Sequence, residues 1–219
     1  MSGTEALRES ICRVGRSLHA RGYVHATAGN ISARCTGGFL ITPTDACLGT
    51  LEPAALARVD DAGRQLDGGP ASKTLALHLR VYAADAGAAC IVHTHSTNLV
   101  ALTLEGVWSE HDIVPPITPY FVMKVGHVPL VAYHRPGDPR VAGRVAGCIA
   151  DAFERGVPIR AVMLERLGPL VWHRTPEAAG AALEELEETA RLWRGCTPRP
   201  APLSPERIDE LRRAFGAAW

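Results

Sequence analysis

The sequence predicts a layered α/β fold whose central sheet is mixed rather than all-parallel. Segments with the apolar spacing of helices alternate along the chain with short apolar runs that are typical of strands. Two of these runs are separated only by Thr36-Gly37-Gly38, whereas parallel neighbours need a crossover of about a dozen residues or more. Because 47% of the 219 residues are hydrophobic, we expect a single domain over residues 1–219.

The first half of the chain predicts three helices and three strands. Apolar residues recur at helical spacing from Thr4, an N-cap residue, until Gly22 ends the pattern. The Gly37-Gly38 turn separates two runs that are long enough for a hairpin. The predicted elements are a helix over 4–21, strands over 31–34 and 39–42, a helix over 75–84, a strand over 90–92 and a short helix over 98–104.

The second half predicts further strands and helices after a proline-rich loop. Pro115, Pro116 and Pro119 mark that loop. Thr175-Pro176 has the N-cap and first-turn proline of a helix start. The predicted elements are a strand over 125–131, a helix over 138–155, strands over 161–164 and 170–172, a helix from 175 through 192, a linker over 198–202 and a last helix from 204.

Composition argues against several classes of partner. Lys and Arg total 23 and balance 23 Asp and Glu, which disfavours nucleic acid or an anionic membrane as a partner. No apolar run approaches the roughly 20 residues of a membrane span, and charged residues interrupt the N-terminal segment, so we expect no signal peptide. Six cysteines without a CxxC pair indicate reduced thiols, so we expect a cytoplasmic protein.

The segment His93-Thr94-His95 is the clearest candidate for a metal site. The GxGxxG, GxxxxGK[ST], HExxH and GxSxG motifs are absent, which disfavours nucleotide binding and zincin chemistry. Residues two apart on a strand share a face, so the two imidazoles can reach one ion, and Zn²⁺ suits such ligands. The alternative interpretation is two polar residues at the end of a strand.

Two further segments could bind a phosphate. Gly29 tolerates a left-handed backbone and close approach by a ligand, and Asn30 adds an amide donor. Ser72-Lys73-Thr74 places a hydroxyl and an ammonium at a helix start, where the dipole favours an anion. The alternatives are an ordinary loop for the first segment, and simple capping by Ser72 with a solvated Lys73 for the second.

Taken together, these segments resemble the class II aldolase/adducin family over nearly the full chain. Within the family, the chain is most similar to 3-oxo-tetronate 4-phosphate decarboxylases. The segments that carry the family resemblance are 27–30, 41–44, the helix start at Ser72, 93–97 and 167–169. Those that carry the decarboxylase resemblance are 72–74, 118–124, 134–138 and 183–190.

The resemblance implies a fold, a cofactor and an assembly. The fold is a three-layer α/β/α class II aldolase-like fold with a mixed, largely antiparallel central sheet. The resemblance also implies a homotetramer with active sites between subunits, and a divalent metal ion, usually Zn²⁺, held by His93 and His95. The substrate phosphate would be held by the four residues Gly29, Asn30, Thr44 and Ser72.

Two positions depart from the family pattern of the aldolases. Thr74 stands where those aldolases carry a glutamate that acts as acid and base, and Leu167 stands where they carry a third metal-binding histidine. Leucine cannot bind a metal, so another ligand must replace it. The candidates are His127, His134 and Glu165, with His127 slightly preferred, besides water and substrate oxygens.

The missing glutamate favours decarboxylation of a phosphorylated keto acid in acid-sugar catabolism. Loss of CO₂ needs an electron sink at the ketone and a later proton donor, but no base to start it. We expect Lys73, beside Thr74, to bind the phosphate or the departing carboxylate. Tyr120, reaching across a subunit boundary, would stabilise or protonate the enediolate. The products would be dihydroxyacetone phosphate and CO₂, and the D or L preference stays open.

Two alternative functions remain at this point. One is a class II sugar-phosphate aldolase that resembles fuculose-phosphate aldolase, or an epimerase, with the same metal. The other is a non-catalytic adducin-like binding module, which the loss of a histidine at Leu167 makes worth testing. Thr74 counts against the aldolase, and the retained His93 and His95 count against the binding module.

Overall fold

The computed structural model of the protein describes residues 3–219. They contain a single eight-stranded sheet in the order β4-β3-β2-β1-β5-β8-β7-β6, and all neighbouring strands are antiparallel except β6 and β7. The strands are β1 (Asn30–Cys35), β2 (Gly38–Ile41), β3 (Ala57–Val59), β4 (Gln65–Asp67), β5 (Cys90–His93), β6 (Leu130–Val131), β7 (Ala161–Leu164) and β8 (Gly168–His173). The predicted mixed, largely antiparallel sheet is therefore confirmed.

Helices cover both faces of this sheet and complete three layers. Helices α1, α3, α4 and α6 contribute to the larger core on one face, and α2 and α5 contribute to the core on the other. The helices are α1 (Gly3–Ala20), α2 (Leu75–Ala84), α3 (Thr97–Glu105), α4 (Pro119–Lys124), α5 (Arg140–Glu154), α6 (Pro176–Gly195) and α7 (Pro205–Phe215). The predicted three-layer α/β/α architecture is confirmed.

Strand alternation explains why the sheet needs helices on both faces. In β5, Cys90 and Val92 belong to the core beneath α1 and α6, whereas Ile91 belongs to the core beneath α2 and α5. All three side chains are fully buried. Because successive strand residues point to opposite faces, an uninterrupted apolar run of this kind indicates a strand covered on both sides.

The strand predicted over 125–131 is largely wrong. Only Leu130 and Val131 form a strand, β6, which pairs in parallel with β7. Gly126 has a positive φ of 80°, and Pro129 has no N–H for a ladder, so the earlier part of this apolar run cannot stay extended and paired.

The proline-rich segment, which the sequence predicts to be a loop, contains part of the short helix α4. Thr118 caps that helix by accepting a hydrogen bond from the Phe121 N–H, and Pro119 occupies its first turn. Two strands of three residues each, β3 and β4, were not predicted either. Runs of that length are too short for a clear period-two pattern.

All six cysteines are free thiols in the described part of the chain. Burial raises the pKa of the Cys12 thiol to about 11, which keeps it protonated near neutral pH. As for helices that might span a bilayer, the segment 3–219 contains none of sufficient length and apolarity.

Candidate metal and phosphate site

The ends of four strands meet at one edge of the sheet. Asn30, which begins β1, pairs with His93 at the end of β5. Ser32 pairs with Ile41 at the end of β2, and Leu170 near the start of β8 also pairs with His93. Antiparallel pairing therefore brings the loops before β1, after β2 and after β5 to the same edge as the turn between β7 and β8. The fold gathers the predicted metal-binding and phosphate-binding segments there.

His93 and His95 have the separation that a shared metal ion requires. Their ring centroids are 5.1 Å apart. Two imidazoles on one tetrahedral ion have ring centres about 5 Å apart, because each metal–nitrogen bond is about 2.0 Å long. The geometry of this pair therefore fits a divalent metal ion.

The surroundings of His93 leave one of its ring nitrogens unprotonated and able to bind such an ion. His93 is buried, and its Nδ1 lies 2.9 Å from the Pro169 carbonyl oxygen. A carbonyl only accepts, so Nδ1 carries the proton and Nε2 keeps its lone pair for a metal. Burial and the neighbouring His95 lower the pKa of His93 to about 4. Burial and His25 likewise lower the pKa of His95.

The candidate third ligands make other contacts in the structure. His127 donates from Nδ1 to the Asp112 carboxylate, at 2.8 and 2.9 Å from its two oxygens. His134 donates from Nδ1 to a backbone carbonyl oxygen at 2.7 Å, and Glu165 accepts a backbone N–H at 2.8 Å. Among residues 3–219, no three His, Cys, Asp or Glu side chains are grouped so that they could hold a metal ion. The identity of a third protein ligand stays a prediction.

The turn between β7 and β8 lies directly against the histidine segment. Gly168, which begins β8 with a positive φ of 139°, has no space for a Cβ because that atom would overlap the Thr94 carbonyl oxygen. Leu167 precedes it and packs against the core beneath α2 and α5. An apolar side chain therefore occupies position 167, next to the glycine that contacts the histidine segment.

Gly29 and Asn30 form a tight turn beside β5. Gly29 has a positive φ of 80°, and a Cβ there would stand 2.7 Å from the His93 carbonyl oxygen. The Asn30 side chain is buried, and its Oδ1 has no hydrogen-bond partner in the described structure. A buried amide oxygen without a partner is unusual, and a water or a ligand group that donates a hydrogen bond would satisfy it.

Thr44 and Ser72 come from two segments that are joined by backbone contacts. The Thr44 Oγ1 donates to the Ala71 carbonyl oxygen at 2.9 Å, and the Ser72 N–H donates to the Thr42 carbonyl oxygen at 3.2 Å. Thr42 in turn donates its N–H to the Ile31 carbonyl oxygen, one residue beyond Asn30. These bonds connect the candidate phosphate-binding residues in one continuous network.

The three predicted catalytic residues differ in their surroundings. Thr74 precedes α2, and its Oγ1 lies 3.0 Å from the Ser72 Oγ. Lys73 is exposed and has no ion-pair partner within residues 3–219. Tyr120, on α4, is 63% exposed and makes no hydrogen bond in the same region. The structure therefore joins Thr74 to the candidate phosphate site, whereas it leaves the Tyr120 side chain in solvent.

The sequence interpretation missed His25, whose ring lies near the histidine pair. Its centroid is 6.4 Å from that of His95, in an edge-to-face arrangement. His25 belongs to no spaced motif and is one of nine histidines, so the sequence contained no signal that distinguished it. Only the fold reveals its position.

A family model shows which known proteins the chain is related to. The model for the class II aldolase and adducin N-terminal domain matches residues 9–194. The chain belongs to this family. The resemblance inferred from the glycine turn and the histidine pair is confirmed.

Two proteins that carry the same name are similar to this chain over all or nearly all of its length. A protein of Cupriavidus necator named 3-oxo-tetronate 4-phosphate decarboxylase is 54% identical, with 100% of both chains covered. A protein of the same name from Escherichia coli K12 is 40% identical over 95% of this chain and 96% of that protein.

Solved structures show the same fold. YgbL from Klebsiella pneumoniae, a proposed aldolase/epimerase/decarboxylase, has a TM-score of 0.87 at 39% identity, with 97% of this chain and 100% of that chain covered. L-fuculose-1-phosphate aldolase from Thermus thermophilus has a TM-score of 0.69 at 29% identity, with 89% and 98% covered. The predicted class II aldolase-like fold is therefore confirmed.

Proposed function

We propose that this protein is a metal-dependent carboxy-lyase of acid-sugar catabolism that converts 3-oxo-tetronate 4-phosphate to dihydroxyacetone phosphate and CO₂. The observation that carries the proposal is the 5.1 Å pair of His93 and His95 next to the unpartnered amide oxygen of Asn30, at one edge of the sheet. The 54% identical relative over the full chain, which carries that name, supports the choice of substrate.

His93 and His95 would hold the divalent ion, for which we propose Zn²⁺. Neutral imidazoles on a buried strand end suit that ion, and two protein ligands leave the remaining positions to water and substrate oxygens. When bound, the ion would polarise the C3 ketone, which then accepts the electrons left on the neighbouring carbon as CO₂ departs. The Pro169 carbonyl fixes the His93 tautomer and so orients the ring before any ion arrives.

The network around Asn30 would bind the phosphate. Gly29 lets the backbone N–H groups approach the ligand closely, and the Ser72 hydroxyl adds a donor. The Thr44 hydroxyl would add another by turning from the backbone carbonyl oxygen to which it now donates. Lys73 provides an exposed, unpaired cation beside them in the described chain. A phosphate held there anchors one end of the short substrate. The reacting end is thereby oriented toward the histidine pair.

The residue at position 74 suits loss of CO₂. As the bond from C1 to C2 breaks, its electrons pass toward the C3 ketone, CO₂ leaves, and C2 then takes up a proton to give dihydroxyacetone phosphate. No base is needed at the start, and a carboxylate at Thr74 would repel the substrate carboxylate. Tyr120, extending from α4 into solvent, would stabilise or protonate the enediolate of a neighbouring subunit.

We propose further that the chain is a single domain and a cytoplasmic homotetramer with active sites between subunits. The single sheet, with every helical layer packed on it or on its helices, supports one domain. The free cysteines agree with a reducing compartment. The exposed Tyr120 is the feature that an intersubunit site would explain.

The experiment measures CO₂ and dihydroxyacetone phosphate formed by purified protein from the D and L forms of 3-oxo-tetronate 4-phosphate. We expect equal amounts of the two products from at least one form. Absence of CO₂ from both forms, with metal supplied, would contradict the proposal.

The second candidate function is a class II sugar-phosphate aldolase, favoured by the 29% identity with L-fuculose-1-phosphate aldolase. The same protein incubated with dihydroxyacetone phosphate and short aldehydes tests it. Aldol products in the absence of decarboxylation would support the aldolase. A non-catalytic module would give neither reaction and would have no requirement for bound metal.

A further inference from the structure

The His25 imidazole lies next to the metal-binding pair with its ring nitrogens free. Its ring is 6.4 Å from that of His95, with the two planes at 76°. The residue is exposed, and neither ring nitrogen makes a hydrogen bond to any residue in 3–219. A donor that borders a candidate metal site and has no partner in the protein is available to a ligand.

The loop that carries His25 has an unusual backbone. Ala26 has a positive φ of 47°, which residues with a Cβ seldom adopt, and Gly29 follows with a φ of 80°. The Ala28 N–H donates to the His25 carbonyl oxygen at 2.9 Å and closes the turn. Left-handed non-glycine residues cost about 1 kcal/mol or more and concentrate at functional sites.

The position of His25 suits contact with a substrate better than contact with the metal. Imidazoles that share a tetrahedral ion have ring centres about 5 Å apart, and the pair of His93 and His95 meets that distance whereas His25 and His95 do not. His25 is also not part of any group of three potential ligands in the described chain. We therefore place His25 beside the histidine pair rather than among its metal ligands, with its side chain exposed to solvent.

We propose that His25 donates an imidazole N–H to the carboxylate of the keto-acid substrate and so determines specificity for a substrate with that group. This inference rests on the proposed function. The substrate has two anionic ends, and the network of Asn30, Thr44 and Ser72 would take the phosphate. The carboxylate then needs its own donor near the metal, and His25 is the free side chain that borders the pair.

An imidazole suits this role because it orients the carboxylate without strongly stabilising it. Either tautomer of a neutral imidazole has one N–H, so a neutral ring can make the contact. Loss of CO₂ requires the breaking bond to lie perpendicular to the plane of the ketone. A positioned donor selects that conformation. A full ion pair would also stabilise the carboxylate of the bound substrate and so raise the barrier to its loss.

The test compares two substitutions of His25 on metal-loaded protein. His25→Phe keeps a flat ring but removes the donor, and His25→Gln keeps an N–H donor of similar reach. His111→Phe is the matched control, because His111 is also exposed and has no hydrogen-bond partner within the described range. Calorimetry measures the binding of a 4-phosphotetronate, which has a carboxylate but no ketone to decarboxylate, and of dihydroxyacetone phosphate, which has no carboxylate.

We expect His25→Phe to weaken binding of the 4-phosphotetronate at least about 10-fold and to leave binding of dihydroxyacetone phosphate and bound metal unchanged. His25→Gln should stay within about 3-fold of wild type, and so should His111→Phe. Equal weakening for both ligands, a loss of metal in His25→Phe, or no effect at all would overturn the inference. Because these readouts involve no turnover, absence of CO₂ release from wild-type protein would refute the proposed function separately.

Discussion

Gly29 lies against the backbone of His93, the first residue of the proposed metal-binding pair. A Cβ on Gly29 would stand 2.7 Å from the His93 carbonyl oxygen and 2.8 Å from a methyl group of Val24. The same glycine belongs to the turn that we propose for phosphate. One residue thus couples the candidate phosphate site to the strand that carries the first of the proposed metal ligands.

Gly29→Ala should therefore damage both sites, and Gly22→Ala is its control. Both glycines have left-handed backbones, at φ values of 80° and 76°, but a Cβ on Gly22 meets no atom within 4 Å. We expect Gly22→Ala to lower the free energy of unfolding by about 1–2 kcal/mol from strain alone. Gly29→Ala should lose about 2 kcal/mol more and weaken metal affinity. Urea unfolding and metal titration measure this, and equal effects of the two substitutions would refute the close-approach argument.

Lys73→Ala should reduce kcat/KM for decarboxylation at least about 10-fold, as for loss of a charge-assisted contact to substrate. Arg80→Ala is the control because Arg80 is an exposed cation on α2, the helix that follows Lys73. Arg80→Ala tests whether a loss of kcat/KM arises merely from removing a positive charge near this helix. Wild-type kinetics for Lys73→Ala would dismiss the proposed role.

Glu187→Gln should loosen the start of α3, which follows the histidine segment directly. The buried Glu187 carboxylate accepts hydrogen bonds from the N–H groups of Asn98 and Leu99 at 2.9 and 3.1 Å, and from the Asn98 side chain at 2.9 Å. Gln offers one acceptor oxygen and no charge at the positive end of the helix dipole, so we expect a loss of about 1–3 kcal/mol in unfolding free energy.

Glu188→Gln provides the comparison for that substitution. Glu188 is the neighbouring residue, and its ion pair with Arg191 is exposed to solvent. It also accepts a 3.3 Å hydrogen bond from the Tyr23 hydroxyl, which the side-chain oxygen of a glutamine there can still accept. Exposed pairs contribute little, so the loss should stay below about 1 kcal/mol. Similar losses for both variants, measured by urea unfolding, would show that Glu187 does not cap α3 in solution.

The buried His78 should make stability depend on pH. Burial, with a smaller contribution from His93, lowers the pKa of His78 from 6.5 to about 3, while its Nδ1 lies 2.7 Å from the Ser32 Oγ. Below pH 6.5 the His78 imidazole binds a proton in the unfolded chain but not in the folded chain. This contribution to stability therefore falls as the pH falls toward 3. At about pH 5 the loss is on the order of 2 kcal/mol relative to neutral pH.

His78→Gln should flatten that dependence because it removes the titrating group. Urea unfolding of metal-free wild type and variant at about pH 7.5 and pH 5 measures the difference. The variant should be less stable at the higher pH, since it disturbs the contact with Ser32, yet should lose less on acidification. Parallel pH profiles for the two proteins would contradict the proposed linkage.

The sequence predicted most of the fold because its long elements have strong periodic patterns. Helices α1, α5 and α6 follow helical spacing over many turns, and the short Gly-rich turn indicated the hairpin of β1 and β2. Helix α4 was missed although Thr118-Pro119 has the same start pattern as Thr175-Pro176, which was recognised. The difference is length, since α4 has only six residues and no apolar periodicity to confirm its start.

The site was predictable only where its residues lie in motifs. The histidine pair and the glycine turn were identified from local spacing, and the pairing of Asn30 with His93 brings them together. His25 has no such spacing, and its approach to His95 depends on the left-handed backbone at Ala26. A side-chain position set by an exceptional backbone conformation in a loop cannot be inferred from residue types alone.

The central claim is that a divalent ion on His93 and His95 enables the loss of CO₂. The most direct measurement is CO₂ release from 3-oxo-tetronate 4-phosphate by native protein, by protein depleted with a chelator, and by depleted protein reloaded with Zn²⁺. We expect release by the native protein, at least about 100-fold less after depletion, and recovery on reloading. Full activity after depletion to trace metal content would contradict it.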